Sequence, residues 1–501
     1  MGRILRVGLM VLLVAAAGVG NVWGEEVWVT SRNWQYAKID ETTCRIKPKD
    51  KNAISGTVDI PNKVNSLTVV EIAEEAFKDC SELTEVKFPS GLITIGEKAF
   101  YKCSKLAAVA IPNSVTKIGK HAFYECSKLT EVSIPSSVRS IGGSAFSSCT
   151  GLTAFKVDEK NASYSQDGGV LFTKDRDTLV SYPGGRKGAY EIPGSVTGIV
   201  AAAFSGCVGL TAVVIPSSVT EILGWTFSGC TGLTAVTIPG SVTEIGEWVF
   251  RDCNKLKEVT IPSSVKTIGV FAFFVCGSLK TVYVYRPVDQ EFTVDQSSFL
   301  GIGSQATLYV RSGMEAKIKD EKWYKNNFKN IVEFYVVTFQ DGEGNKLGKQ
   351  PVFLPDGTAT APIAPPKDGY IVEWQLDGAK YDFNTPVTKD ITLVAVWKKK
   401  EESTPSTPST PKDPKDPKTA VESVQLAAVR AVRNPVGEAL ELEGMERATR
   451  VEVYSVVGAR VYAEALRGEP RVVIDARGWA SGVYVVKVAA SDGERTLRVV
   501  K

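Results

Sequence analysis

The sequence predicts a mainly β protein: a solenoid of 23-residue repeats, then a small all-β module, then a C-terminal antiparallel β-sandwich. Three observations predict this order. A cysteine recurs at a fixed interval through the first part of the chain. Residues 336–398 contain short β-rich runs between Gly, Pro and Asp turns. Residues 422–501 alternate apolar and polar residues between glycine turns.

Eight cysteines set the repeat: Cys80, Cys103, Cys126 and Cys149 are each 23 apart, and so are Cys207, Cys230, Cys253 and Cys276. Around each, the text recurs as AFxxCxxLTxVxIPxSVTxIG. In LTEVSI, Leu129, Val132 and Ile134 recur while the residues between them vary, which is typical of a short strand with one buried side. One copy cannot bury its apolar edges alone, whereas stacked copies share a continuous core. The pattern predicts a leucine-rich-repeat solenoid over 25–335.

The spacing breaks once, because Cys149 and Cys207 are 58 residues apart, one repeat plus an insertion of 35. The repeated cysteines share one inward-facing position. Stacked repeats lie about 4.8 Å apart, which would allow neighbouring cysteines to bridge, but their side chains should run parallel rather than face each other. We expect a column of buried thiols rather than disulfides, with Cys44 outside the register. A single-file column does not surround an ion, so no metal site is expected.

Composition excludes several classes of function. Lys and Arg total 59 against 56 Asp and Glu, a net charge of +3 that is too small for a dedicated nucleic-acid binder. The chain has one histidine, His121, which argues against most metalloenzymes and against Ser-His-Asp or Cys-His catalysis. We therefore expect no enzyme, no catalytic residue, no metal and no cofactor.

The first residues have the features of a secretory signal peptide over 1–24. Two arginines precede the apolar run 7–20, and small residues follow before Glu25. The run is too short to span a bilayer, and no later stretch is long enough to be a transmembrane helix. Residues 399–421 are rich in Pro, Ser, Thr and Lys and are expected to form an extended, solvated linker.

The repeat text resembles the BspA-like (Treponema-type) leucine-rich repeats. Residues 336–398 resemble the Listeria–Bacteroides repeat of surface proteins, through matching residues that include Val337, Phe339, Trp374, Tyr381 and Trp397. Residues 422–501 resemble the C-terminal sorting domain of type IX secretion substrates, and the motif residues that carry this resemblance are Asn434, Pro435, Tyr454, Gly458, Asp475, Gly482, Tyr484 and Lys501.

These resemblances imply an exported bacterial protein. The sorting domain implies passage through the periplasm, the type IX secretion machinery as a partner, and release or attachment at the outer surface, where lipopolysaccharide is the family's anchor. BspA-like relatives are associated with attachment to host matrix proteins, host cells or other bacteria. We therefore expect an adhesin-like interaction protein, with a structural surface spacer as the alternative and a carboxylate-based glycan-active enzyme as a more remote one.

Two surfaces are candidates for binding. Two residues before each repeat phenylalanine, a column reads Glu75, Lys98, His121, Ser144, Ala202, Trp225, Trp248, Phe271. Its charged members predict that the column is exposed, so Trp225, Trp248 and Phe271 would form a stacked aromatic ladder at the surface. The rings could also simply stack on one another without binding anything. The second candidate is a flat face of small residues on the strands, Ala212, Val214, Ala235 and Thr237, which a structural ladder would equally tolerate.

Overall fold

The computed structural model describes residues 27–354, 357–362, 370–399, 430–431, 439–443, 448–455, 460–466, 471–475, 483–490 and 493–500. The expected signal peptide 1–24 lies outside the described residues, and so does the expected linker apart from residue 399. The described chain is nearly all β, which confirms the predicted fold class.

The solenoid begins with an N-terminal cap, whose first three strands pair antiparallel, and continues through the first repeats. Its strands up to the insertion are β1 (Val29–Ser31), β2 (Trp34–Lys38), β3 (Thr43–Pro48), β4 (Gly56–Asp59), β5 (Lys63–Val64), β6 (Leu67–Ile72), β7 (Leu83–Lys87), β8 (Thr94–Ile95), β9 (Ala108–Val109), β10 (Lys117–Ile118), β11 (Glu131–Ile134), β12 (Ser140–Ile141) and β13 (Ala154–Val157).

The insertion and the remaining repeats follow. Their strands are β14 (Tyr164–Asp167), β15 (Val170–Thr173), β16 (Thr178–Ser181), β17 (Gly188–Glu191), β18 (Gly198–Ile199), β19 (Leu210–Val214), β20 (Glu221–Ile222), β21 (Ala235–Thr237), β22 (Glu244–Ile245), β23 (Glu258–Ile261), β24 (Thr267–Ile268), β25 (Thr281–Val284), β26 (Thr293–Val294) and β27 (Thr307–Arg311).

Each repeat contributes one strand to each of two parallel stacks. The LTxVxI segments form the strand face, where β11 pairs with β13 and β17-β19-β21 pair in order. The TxIG segments form a second sheet, in which β8, β10 and β12 align Ile95, Ile118 and Ile141. The AFxxC segments are turns that close each repeat, and we call the surface they form the turn face. A repeat therefore has three sides, two built by strands and one by turns.

Stacked phenylalanines fill the interior beneath the turn face. Phe204, Phe227, Phe250 and Phe273 lie with ring centroids 4.9–5.4 Å apart, and all are fully buried. Each ring sits one repeat above the last because each phenylalanine N–H donates to a carbonyl of the next repeat, as from Phe227 to Val249 at 2.9 Å. The 23-residue phase of the sequence therefore becomes a continuous aromatic core.

The cysteines form the expected column of thiols. All nine are free and buried. Seven Sγ atoms donate to the backbone carbonyl of the stacked core aromatic residue one repeat earlier. Examples are Cys149 to Phe123 at 3.0 Å and Cys276 to Phe250 at 3.0 Å. Each thiol thus satisfies a carbonyl that faces the core. Burial raises the pKa of Cys149 and of Cys276 to about 12.

We expect none of these thiols to react while the protein is folded, because the thiolate is the reactive form and burial suppresses it. A colorimetric thiol reagent at pH 8 should detect no free thiol in the native protein and nine in denaturant. Fewer than nine in denaturant, without reductant, would mean that the cysteines pair.

The insertion divides the core in two. Strand β15 has both faces buried: Leu171 packs with the N-terminal core, whereas Val170 and Phe172 pack with the C-terminal core. Tyr182 then takes the place of a repeat phenylalanine and stacks on Phe204 at 5.0 Å. This extra turn passes so close to the preceding repeat that a Cβ on Gly184 would lie 2.8 Å from the Cys149 carbonyl oxygen.

The turn face stays continuous across the insertion. The Ser148 N–H donates to the Ser205 carbonyl at 2.9 Å, and the Ser147 hydroxyl donates to the Ala202 carbonyl at 3.0 Å. Repeats that are 58 residues apart in sequence are therefore direct neighbours on this face. The extra chain of the insertion is accommodated on the two strand sides.

The C-terminal end of the solenoid passes without a break into the next module. Helices α1 (Glu315–Ile318) and α2 (Lys322–Lys325) cover the end of the C-terminal core, and then β28 (Asn330–Gln340) begins. Its first half pairs with β27 of the solenoid, and its second half pairs with β29 (Lys346–Phe353) and β32 (Ile391–Lys399). This strand crosses the boundary that the sequence suggested at residue 335.

The module over 336–398 is a small β unit whose remaining strands are β30 (Tyr370–Leu376) and β31 (Ala379–Lys380). Side chains also fix it to the solenoid. Arg311 forms an ion pair with Asp390, whose carboxylate also accepts the Val336 N–H at 2.7 Å. Phe353 packs edge-on against Tyr309 at 5.3 Å. The junction is therefore built by pairing, charge and apolar contact together.

The C-terminal segments form two antiparallel sheets, ordered β33-β34-β37 and β36-β35-β38-β39. The strands are β33 (Arg430–Ala431), β34 (Ala439–Glu443), β35 (Ala448–Ser455), β36 (Arg460–Ala465), β37 (Arg471–Asp475), β38 (Val483–Ala490) and β39 (Gly493–Val500). Among the residues described, no helix has the length and hydrophobicity needed to cross a membrane.

Candidate functional site

The turn face carries the predicted aromatic column at a conformationally demanding position. Trp225, Trp248 and Phe271 have φ of 63°, 57° and 54°, and the other column members also lie in the left-handed region. That region costs a residue other than glycine roughly 1–2 kcal/mol. The column residue takes this conformation whatever its identity, because its N–H must reach the next repeat, as from Trp225 to the Glu247 carbonyl at 2.9 Å.

The three aromatic residues form the stacked ladder that the sequence predicts. The rings of Trp225 and Trp248 lie 5.0 Å apart with an interplanar angle of 16°, and those of Trp248 and Phe271 lie 4.3 Å apart at 29°. Offset stacking of this kind contributes about 0.5–1.5 kcal/mol per pair beyond the burial of area. It therefore offsets much of the backbone cost.

Two residues outside the column also pack against the ladder. Phe274 meets Trp248 and Phe271 edge-on, at 5.6 and 5.0 Å. The Arg251 guanidinium lies over the rings of Trp225 and Trp248, at 5.8 and 5.3 Å from their centroids. Both residues follow a repeat phenylalanine by one position. Examining the position after each repeat phenylalanine together with the first column would have identified both residues from the sequence.

The ladder is less exposed than the sequence suggested. Trp225, Trp248 and Phe271 are half-buried, because stacked rings cover one another's faces and leave mainly their edges in solvent. Apolar neighbours widen the surface: Leu223 and Val270 are 39% and 40% exposed. The result is an apolar patch on the turn face, which we call the ladder patch (Leu223, Trp225, Trp248, Val270, Phe271 and Phe274).

The N-terminal half of the same face is charged instead. Glu75 accepts an ion pair from Lys78 at 2.9 Å, and Lys98 approaches the same carboxylate at 3.5 Å. His121 lies in the column here, edge-on to Tyr124 at 5.7 Å, and burial lowers its pKa. The turn face is thus divided along the solenoid into a charged half and an apolar half.

The strand-face candidate is only partly accessible. Ala212 is 1% exposed, so the expectation that it lies on an open face is wrong. It sits on the middle strand of three, between Ala189 and Ala235, and a methyl group there does not rise above its paired neighbours. Val214, Ala235 and Thr237 are half-buried.

Three of the sorting-motif residues fall on described strands: Tyr454 on β35, Asp475 on β37 and Tyr484 on β38. Tyr454 and Tyr484 lie on directly paired strands, since Tyr454 is opposite Val485. The others, Asn434, Pro435, Gly458, Gly482 and Lys501, lie outside the described residues.

The ladder patch and its neighbour Arg251 present apolar, aromatic and cationic groups. Across the described ranges, no three His, Cys, Asp or Glu side chains cluster in a way that could hold a metal ion. What the turn face offers is aromatic edges, a guanidinium and exposed aliphatic groups, the composition of contact surfaces.

Comparison with known families identifies the chain in two parts. Residues 51–167 and 188–301 match the family described as BspA type leucine rich repeat region, in 6 copies, and residues 434–501 match the secretion system C-terminal sorting domain. This is a secreted or cell-surface leucine-rich-repeat protein. More specifically, its repeats are of the BspA type and its C-terminal domain is a type IX sorting domain, which implies the type IX secretion machinery.

Neither match indicates a catalytic family. Residues 336–398 fall in neither range, so their likeness to the Listeria–Bacteroides repeat stays a prediction. No curated protein matches the chain.

Solved structures of other bacterial proteins are similar to this chain. The pneumococcal vaccine antigen PcpA is 19% identical, with a TM-score of 0.45, over 62% of this chain and 99% of that one. A leucine rich cell surface protein from Faecalibacterium prausnitzii is 22% identical, with a TM-score of 0.36, over 62% and 95%. The leucine rich repeat protein of T. pallidum is 27% identical, with a TM-score of 0.28, over 46% and 90%.

Proposed function

We propose that this protein is an adhesin-like surface protein whose solenoid binds host matrix proteins, host cells or other bacteria through the ladder patch. The observation that supports the proposal is the patch itself: stacked rings held at an unfavourable backbone position, partly exposed and flanked by open aliphatic side chains. Exposed apolar patches on soluble proteins tend to mark interaction sites.

The proposed division of labour follows the chain. Residues 25–335 bind, 336–398 and the linker 399–421 hold the binding region away from the cell, and 422–501 direct export, with lipopolysaccharide as the proposed anchor. A repeat surface suits many weak contacts, which become strong when several copies are displayed together.

A spacer without a specific ligand is the second candidate. The continuous strand β28 and the Arg311–Asp390 ion pair favour it, because they make the solenoid and the following module one stiff unit. A spacer has no use for the ladder patch, so binding by that patch separates the two candidates.

Replacing Trp225, Trp248 and Phe271 together by alanine should strongly weaken binding of the full chain to its partners. Alanine is acceptable at this position, since Ala202 occupies it with φ of 60°. The measurement is equilibrium binding to immobilised matrix proteins, host cells and bacteria, with circular dichroism to verify the fold. We expect at least a tenfold loss, since about 2 kcal/mol per hot-spot residue is typical.

The matched control replaces Tyr101 and Tyr124, another stacked pair on the turn face at 5.0 Å, by alanine. It should bind as the native protein does. Equal binding by the triple variant would move the site to the strand face, and absence of any binding by the native protein would favour the spacer.

A further inference from the structure

The repeats that carry the ladder contain almost no basic residues. No lysine or arginine occurs between Lys187 and Arg251, although the chain has 59 of them. Four glutamates lie in the same stretch. Three of these, which we call the ladder glutamates, are exposed: Glu221, Glu244 and Glu247. This part of the solenoid is therefore acidic, within a chain whose net charge is +3.

The ladder glutamates border the ladder patch. Glu221 and Glu244 each lie four residues before a ladder tryptophan, and Glu247 lies immediately before the second of these. A Cβ on Gly224 would be 3.1 Å from the Cγ of Glu247, so the Glu247 side chain reaches the preceding repeat at the residue before Trp225. The apolar patch thus has three carboxylates along the side where each repeat enters the turn face.

These carboxylates have no counter-ion. Glu221 and Glu244 are directly opposite each other on paired strands, which lie about 4.8 Å apart, and like charges in that arrangement are destabilising. Within the described parts of the chain, none of the ladder glutamates forms an ion pair. In the charged half of the turn face, by contrast, Glu125 pairs with Lys102 at 3.8 Å. The unmatched negative charge therefore coincides with the aromatic ladder.

Arg251 shows how a cation fits against these rings. Its guanidinium lies 5.8 and 5.3 Å from the centroids of Trp225 and Trp248, in the range where a cation is attracted to an aromatic ring. Its charge is met by Asp252, at 3.0 Å, rather than by the ladder glutamates. A second cation on the other side of the ladder would therefore find both aromatic groups and unmatched carboxylates.

We infer that the ladder patch binds a basic segment of a partner protein, whose lysine or arginine side chains pair with Glu221, Glu244 and Glu247. The inference rests on the proposed function and names the chemistry of the partner for the same surface. Lysine and arginine have long apolar stems that end in a charge, and such side chains cover apolar surface while their heads reach a charged border. The exposed Leu223 lies between the glutamates and the rings, where such a stem would pass.

The same carboxylates disfavour other partners. An acidic protein segment, an anionic lipid surface or a sialylated glycan would place negative charge against negative charge. A neutral partner that covered the patch would remove water from the carboxylates without pairing them, which is costly. A partner with positive charge is the one that gains from both halves of this surface.

The test compares synthetic peptides that differ only in charge. Three fluorescent peptides of equal length and equal leucine and tyrosine content would carry lysine and arginine, glutamate, or glutamine at the same positions. Fluorescence anisotropy with the full chain measures their affinities. The basic peptide should bind at least about tenfold more tightly than the acidic one, because opposite charges attract and like charges repel across an interface. Its affinity should fall as salt is added, since the pairs are exposed.

Substitution of the ladder glutamates tests the pairing itself. Glu221→Gln, Glu244→Gln and Glu247→Gln together leave the rings in place and should weaken binding of the basic peptide about tenfold, since three exposed ion pairs are lost at once. The matched control removes the same charge elsewhere. It replaces by glutamine three exposed glutamates of other loops, Glu41, Glu159 and Glu343. This control should bind the basic peptide as the native protein does.

The outcomes separate this inference from the proposed function. No preference of the native protein for the basic peptide, or equal binding of that peptide by the native protein and the ladder-glutamate variant, would overturn the inference. Equal losses in the variant and its control would overturn it too, because overall charge would then be the cause. If cells or matrix proteins were lost by the triple alanine variant but retained by the ladder-glutamate variant, the proposed function would stand alone. If neither variant changed any binding, both would fall.

Discussion

Replacing Phe227 by alanine should destabilise the solenoid by about 3–5 kcal/mol, the usual cost of deleting a buried phenylalanine side chain. Phe227 is fully buried between Phe204 and Phe250, with centroid distances of 4.9 and 5.4 Å. The rings on either side would lose a stacking partner, and the cavity could not collapse because hydrogen bonds fix the spacing of the repeats. Chemical denaturation followed by circular dichroism measures the change.

Tyr101→Ala is the matched control for this prediction. Tyr101 also stacks on its neighbour in the next repeat, Tyr124, at 5.0 Å, but it is half-buried on the turn face. We expect a loss of about 1 kcal/mol, the ordinary value for a substitution outside the core. If the two substitutions cost the same, the phenylalanine stack would not be the main support of the solenoid.

Ending the chain at residue 335 should disrupt the last repeats, although the sequence suggests a boundary there. The cut falls within β28 and removes β29 and β32, which pair with it on both edges. Phe334, fully buried in the intact protein, would lose Phe353 from above it, and Arg311 would lose Asp390. An exposed strand edge with apolar side chains promotes aggregation.

The control is a chain that ends at residue 399, after β32. We expect it to be monomeric by light scattering, with slow hydrogen exchange along β27, whereas the shorter chain should aggregate or exchange rapidly there. Asp390→Ala in the full protein tests the ion pair alone and should raise exchange at Val336, whose N–H it accepts. Equal behaviour of the two truncated chains would show that the module is independent of the solenoid.

The repeat phase made much of this structure predictable. Because residues 23 apart are neighbours in a solenoid, the column containing Trp225, Trp248 and Phe271 had to stack, and the cysteines had to align. The 23-residue spacing could not predict how exposed these aromatic side chains are, because their exposure depends on the left-handed backbone and on the overlap between the rings. Ala212 shows the same limit: alternation places a residue on a face but does not measure its accessibility.

Two features were not predicted, although the sequence contains a signal for each: the strand of the insertion that is buried on both faces, and the strand that continues from the solenoid into the next module. The uninterrupted apolar run Val170–Leu171–Phe172 between turn residues is typical of a strand buried on both faces, and β15 does separate the two cores. The 11-residue run of β28 is too long for one repeat strand. The pairing of Ser148 with Ser205 across the insertion could be known only from the structure.

The most direct test of the proposed binding surface is hydroxyl-radical footprinting of the full chain with and without a cell surface or matrix protein that it binds. Trp225, Trp248 and Phe271 should be oxidised more slowly in the complex. Tyr283 and Tyr309, a half-buried pair stacked at 4.7 Å on the strand face, should react at an unchanged rate. Protection of Tyr283 and Tyr309 with an unchanged ladder would contradict the account and place the binding surface on the strands.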